Sequence, residues 1–196
     1  AQYVQQMALG TSLASIMITS VSSARAHHSR GAVHWDIFKA ITPGILLGTF
    51  FGGLVATHMP TMFLKIFFIC FILVVSAQML SNYRPPASRD LPGKMGTAGV
   101  GGVIGLISSF VGIGGGTLSV PFMTFCNVPL HHAVGTSAAI GFPIAVAGTL
   151  GFIVGGWGRP DLPSMTLGFV NLWALLGIAS ASFLTAPLGV KLSHAL

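Results

Sequence analysis

Long apolar runs broken by short polar connections set the pattern of this chain. The stretch "ITPGILLGTFFGGLVATHMPTMFLKIFFICFILVVSAQML", Ile41 to Leu80, is about twice the length that one helix needs to cross a bilayer, and it must bend back at His58-Met59-Pro60. A second run, "AVGTSAAIGFPIAVAGTLGFIVGG", carries no ionised side chain at all. The pattern predicts membrane helices over 3–22, 36–57, 61–80, 95–111, 131–156 and 166–190, with a short apolar piece at 116–126. The linker "SNYRPPASRDLPG", Ser81 to Gly93, stops the preceding helix with two adjacent prolines.

Composition sharpens this into an integral membrane protein. Of 196 residues, 53% are hydrophobic and 6% charged, and the mean hydropathy is +0.84, whereas a soluble domain carries roughly 25% charged residues. The net charge of +6 does not mark a nucleic-acid binder, because the basic residues sit in short connections and cover no single face. They follow positive-inside topology instead: Arg25 and Arg30 mark one loop as cytoplasmic, and Arg84, Arg89 and Lys94 mark the next but one. Lys39, Lys65 and Lys191 lie near helix ends, where a lysine stem reaches the interface. Cys70 and Cys126, each among apolar neighbours, suggest neither a disulfide framework nor a metal pattern.

A weak internal repeat divides the chain. "ALGTSLA" at Ala8 to Ala14 matches "AVGTSAA" at Ala133 to Ala139, a register of 125 residues. "GAVHWDIFKAITPGILL" from Gly31 pairs with "GFVNLWALLGIASASFL" from Gly168, a register of 137 that sets Gly52 opposite Gly189. The expected organisation is a first repeat at 1–80, a cytoplasmic linker at 81–93 and a second repeat at 94–196. The alignment leaves the first repeat without an opening segment and the second without a closing helix, so a trimmed chain is expected. If residues 95–126 re-enter the membrane from the cytoplasm, the repeats are inverted; if they form one broken span, the repeats are parallel. Loop charge leans to inversion, since "RAHHSR" is basic and "GRPD" is balanced.

Two motifs carry candidate chemistry. Gly112, Gly114, Gly115 and Gly116 each weaken a helix by up to about 1 kcal/mol relative to alanine, so "SSFVGIGGGTLSVP" should end the helix that begins near Met95. A broken helix is tolerable in a membrane only where protein or a watery cavity covers its backbone. Free N–H groups at the start of "TLSVPF" would form an anion site needing no charged side chain, with Gly114, Gly115, Gly116, Thr117 and Pro121 as its candidate residues. Gly99, Gly102 and Gly105, three apart, read as packing glycines. The repeated "GTS", Gly10-Thr11-Ser12 and Gly135-Thr136-Ser137, would aim two pairs of hydroxyls at one midplane anion if the halves meet about a pseudo-two-fold axis. Ser108 and Ser109, just before the break, are weaker candidates of the same kind. The three carboxylates, Asp36, Asp90 and Asp161, fall in loops or at helix edges, so no buried Asp or Glu is on hand as a proton or sodium relay and no convergent acid–base set suggests an enzyme. His131 and His132 precede the second "GTS" by a helical turn and stand as a candidate proton relay.

Together, "GIGGGTLSVPFM", "HHAVGTSAA", the partial repeat "ALGTSLASI" and the loop ending "SRGAV" resemble the TauE/SafE family, the sulfite exporter family of bacterial membrane proteins. The resemblance covers nearly the whole chain. It implies an all-α polytopic secondary transporter of the bacterial inner membrane that moves sulfite, sulfonates or related small sulfur-containing anions without a cofactor, with the glycine-rich segment falling on Gly112 to Pro121. Its partners would be the anion, the lipid bilayer and, left open, further copies of itself. An anion channel, or a transporter of another small organic anion, is the alternative.

Overall fold

In the computed structural model, residues 3–81 and 90–182 are described. Arg84 and Arg89 of the linker, and Gly189, Lys191 and the end of the expected last helix, lie outside them. The chain forms α1 (Val4–Ser29), α2 (Trp35–His58), α3 (Thr61–Leu80), α4 (Lys94–Val111), α5 (Gly116–Phe125) and α6 (Leu130–Gly156). A two-stranded hairpin, β1 (Thr166–Leu167) with β2 (Val170–Asn171), then leads into α7 (Leu172–Ser182). Five helices, α1, α2, α3, α4 and α6, are long and apolar enough to cross a membrane. The protein is an all-α, multi-pass membrane protein.

Two boundaries differ from expectation. α1 runs on to Ser29 instead of ending at 22, so Arg25, His27 and His28 belong to helix and not to loop. Basic side chains in a last helical turn complement the negative end of the dipole. The last helix starts at Leu172 and not at 166, because Met165 and Gly168 both adopt positive φ (64° and 56°) and fold the intervening residues into a hairpin.

Glycine contacts fix the helix directions. Gly44, Gly48 and Gly52 of α2, four residues apart, rest against Ala98, Gly102 and Leu106 of α4, and Gly101 and Gly105 return the contact on Ile41 and Ile45. Both series rise together, so α2 and α4 run parallel. Gly148 and Gly155 of α6 meet Thr49 and Thr57 of α2 in the same sense, whereas Gly10, Leu13 and Ser20 of α1 meet Phe152, Gly148 and Gly141 of α6 in the opposite sense. α6 therefore runs parallel to α2 and antiparallel to α1. Lipid offers helices no hydrophobic reason to associate, so contacts this close depend on missing side chains. Gly102 and Gly105 pack as expected; Gly99 faces open space and does not. The core gathers Leu13, Ile41, Ile45, Ile140, Ile144 and Phe152, all wholly buried, where α1, α2 and α6 meet.

Gly48→Ala should push α2 from α4 and lose about 1–3 kcal/mol of stability, because a methyl there overlaps the Gly102 backbone. Gly99→Ala should be neutral or stabilising by up to about 1 kcal/mol. Thermal unfolding of the two variants in detergent checks the contrast.

Candidate functional site

The glycine run breaks the chain beside the middle of α6. α4 ends at Val111, Gly112 adopts φ 73° as its left-handed cap, and its N–H closes on the Ser108 carbonyl at 2.8 Å. Gly115 adopts φ 75° and begins α5. Both conformations are open to glycine and strained for other residues. Gly115 lies against Ile144, Gly114 beside Ile16 and Gly141, and Gly116 beside Ser137, so α5 runs back along α6 towards the loop where α6 starts. At ten residues α5 is about 15 Å long, half of what a crossing requires. α4 and α5 are thus a hairpin whose tip sits opposite the middle of α6. Pro121 does not close the segment: α5 continues through it to Phe125, since the glycines have already made the turn.

No side chain caps α5. The Gly115 carbonyl accepts from Leu118 (3.1 Å) and Ser119 (2.8 Å), while the N–H groups of Gly114, Gly115, Gly116 and Thr117 have no partner among the described residues. Gly114, Gly116 and Ser137 line the deep end of a cavity of about 510 Å³ that continues along Ile16, Thr19, Ser20, Ser23 and His27 of α1. Ser119 donates to the Gly115 carbonyl at 2.9 Å, and its Oγ lies 2.9 Å from the Ser137 Oγ. From the other side, Ser12 donates to the Gly112 carbonyl at 2.8 Å. The Thr117 side chain is exposed. Ser109 is spent on the Leu106 carbonyl (2.7 Å), but the Ser108 Oγ is buried with no partner among the described residues.

The two "GTS" copies do not converge on one point. Gly10 lies against Phe152 near one end of α6, and Gly135 against Ala32 near the other, a separation of about 25 Å along the helix. Their threonines instead pin loops, and do so reciprocally. The Asn171 N–H donates to Thr11 Oγ1 (3.0 Å), and the His34 N–H donates to Thr136 Oγ1 (2.9 Å). A Cβ on Gly10 would come within 2.9 Å of the Phe169 carbonyl oxygen; one on Gly135 would come within 2.5 Å of that of Ala32. His34 and Asn171, like Ala32 and Phe169, are set opposite each other by the register of 137, and Gly31 and Gly168 both take positive φ. Of the two copies, only Ser12 and Ser137 reach the break, one from each flank.

The rings of His34, His132 and His131 lie in a row, tilted by 59° and 41° with centroids 4.2 and 4.0 Å apart, at the end of the bundle that carries Arg25 and Arg30. Among the described residues no group of three His, Cys, Asp or Glu side chains is arranged to hold a metal. Beyond α5, burial first and the Asp90 charge second push the Cys126 thiol above its ordinary range. The polar stripe on α1, Thr19, Ser20, Ser23 and His27, escaped the sequence reading. Its signal was a spacing of three to four residues, which puts all four side chains on one helical face.

A family model described as "Sulfite exporter TauE/SafE" matches residues 3–196. The chain is 35% identical over 185 residues to a "Probable membrane transporter protein" of Haemophilus influenzae, covering 94% of this chain and 70% of the relative. It is 26% identical to the "Probable membrane transporter protein YdhB" of Bacillus subtilis (95% and 74% covered) and 25% identical to the "Probable membrane transporter protein MJ0441" of Methanocaldococcus jannaschii (96% and 70%). No solved structure matches the chain. A hairpin broken inside a polytopic helical bundle, and a family match over almost every residue, lead to one conclusion: this chain belongs to the TauE/SafE family of membrane transporters.

Proposed function

We propose that this protein is a secondary transporter that carries a small sulfur-containing anion, sulfite or a sulfonate, across the bacterial inner membrane by alternating access. The anion is held at the tip of the α4–α5 hairpin by the N–H groups of Gly114 to Thr117 and the hydroxyl of Ser137. The observation that carries this reading is the uncapped start of α5, which opens beside the middle of α6 into a cavity where the hydroxyls of Thr19, Ser20, Ser23 and Ser137 stand among apolar side chains. Backbone amides and the positive end of a helix dipole attract an oxyanion without a charged side chain. No carboxylate lines that cavity: Asp36 sits in the first turn of α2, and Asp90 and Asp161 lie in connections. The sulfur chemistry is taken from the family description.

The halves act as an inverted pair in this mechanism. The antiparallel course of α1 and α6, together with the crossed Thr11–Asn171 and Thr136–His34 bonds, supports that arrangement. The Arg25 and Arg30 end faces the cytoplasm by the positive-inside rule.

In proteoliposomes, radiolabelled sulfite flux should saturate and show counterflow; flux that does neither makes the protein a channel. Gly115→Leu, which meets both a positive φ and Ile144, should abolish flux. Ser137→Ala, which removes one donor, should weaken sulfite binding about tenfold. Wild-type transport by both variants would exclude the hairpin tip as the site.

The inverted arrangement makes two further predictions. Thr11→Val and Thr136→Val should each lose about 1–3 kcal/mol by stranding a loop N–H, with Thr→Ser at either position restoring most of it in thermal unfolding. In a chain with Cys70 and Cys126 replaced, a cysteine at Ser29 should label only from the cytoplasm and one at Asp161 only from outside. Labelling of both from the same side refutes the arrangement.

A further inference from the structure

At the end of the bundle away from Arg25 and Arg30, a second cavity of about 300 Å³ lies between the start of α1, the α2–α3 turn and the loop after α6. Its walls mix polar side chains, Tyr3, Gln6, Thr57, His58, Thr61 and Arg159, with the apolar Met59 and Pro60. Gln6 is almost wholly buried, donating to the Met59 carbonyl (2.9 Å) and accepting from Thr61 (3.0 Å), so it ties α1 to the α2–α3 turn.

Arg159 is the unexplained group. Its guanidinium stacks over both the Tyr3 ring (5.1 Å) and the Phe169 ring (5.3 Å), rings that themselves pack 5.4 Å apart. Of five N–H donors, one makes a long contact of 3.5 Å to the Thr57 carbonyl. All three aspartates are among the described residues, and none forms an ion pair with Arg159, not even Asp161 two residues away. A guanidinium that only had to reach the interface would extend freely into water. This one packs over two rings that themselves touch, with one of its five donors on a protein acceptor, beside a cavity that has no carboxylate on its walls. The Tyr3 hydroxyl adds a donor of the right kind on the same wall, whereas His58 Nδ1 is engaged with the Leu54 carbonyl at 2.9 Å.

The geometry points to a second anion site, in which Arg159, with Tyr3, binds the head of a small oxyanion such as a sulfonate at the outer mouth. The site lies about 20 Å along α6 from the hairpin tip, so one ion cannot occupy both. A role in capturing or releasing the transported anion rests on the transport reading above; binding itself does not. The same chemistry would hold the phosphate of an anionic lipid, and the test separates the two sources.

The full chain is placed in nanodiscs of phosphatidylcholine and treated with phenylglyoxal, and arginine modification is read peptide by peptide by mass spectrometry, with and without methanesulfonate. Arg159 should react about fivefold more slowly with methanesulfonate present, while Arg25 and Arg30 stay within about twofold of their own rates. If phosphatidylglycerol protects Arg159 equally and methanesulfonate adds nothing, the oxyanion site stands and a lipid headgroup is its ligand. No protection by either probe overturns the site. As a second readout, Arg159→Gln should raise the half-saturating methanesulfonate concentration for flux about tenfold with little change in maximal rate, and Arg159→Lys, which keeps the charge without the fork, should fall between. Protection in a protein that carries no anion keeps this site and removes the transport reading. Saturable flux with Arg159 unprotected leaves transport intact and removes this site.

Discussion

In hydrocarbon a backbone amide without a partner costs several kcal/mol, so a helix that stops at mid-depth must be covered by other helices or by water. The arrangement of this bundle follows from that constraint. α4 stops at Val111 and α5 starts at Gly116, and the turn between them is enclosed by Leu9 and Ile16 of α1 and by Gly141 and Ile144 of α6. Ser12 satisfies the Gly112 carbonyl from one flank. On the other, the cavity beside Gly114 and Gly116 leaves room for water or a ligand at the amides that remain. The enclosing helices can come so near only because α2 meets α4 and α6 through glycines, where a single methyl would collide with backbone.

The repeated "GTS" has a different part in this arrangement from the one its recurrence suggests. Each threonine accepts the N–H of a loop from the opposite half, and each glycine lets that loop's carbonyl come close. The same small motif thus does the same local task at two ends of an antiparallel helix pair. The serines at the third position are the members that reach the break, because one further residue turns the side chain by about 100° around the helix. A motif can recur because a joint recurs, and a shared joint does not require a shared ligand.

The two ends of the α1–α6 pair differ in their chemistry. One carries a row of three tilted histidine rings near a stripe of hydroxyls that leads to the break. The other carries an arginine packed over two touching rings.

Apolar run length determined the spans, because bilayer thickness sets a nearly fixed count of residues per crossing. Glycine's left-handed freedom determined the break, and Gly112 and Gly115 take up the positive φ that "GIGGG" makes available. Both are local properties, and local properties are what a single sequence displays. The direction of the hairpin, the distance between the "GTS" copies, the hydroxyl stripe of α1 beside the break and the ring contacts of Arg159 were left to tertiary structure. Each joins residues remote in the chain, such as Tyr3 with Arg159 or His34 with Thr136, and each depends on which helix face meets which neighbour. In lipid that choice rests on small differences in close packing and on where a few polar groups find partners, and the apolar pattern carries no trace of either.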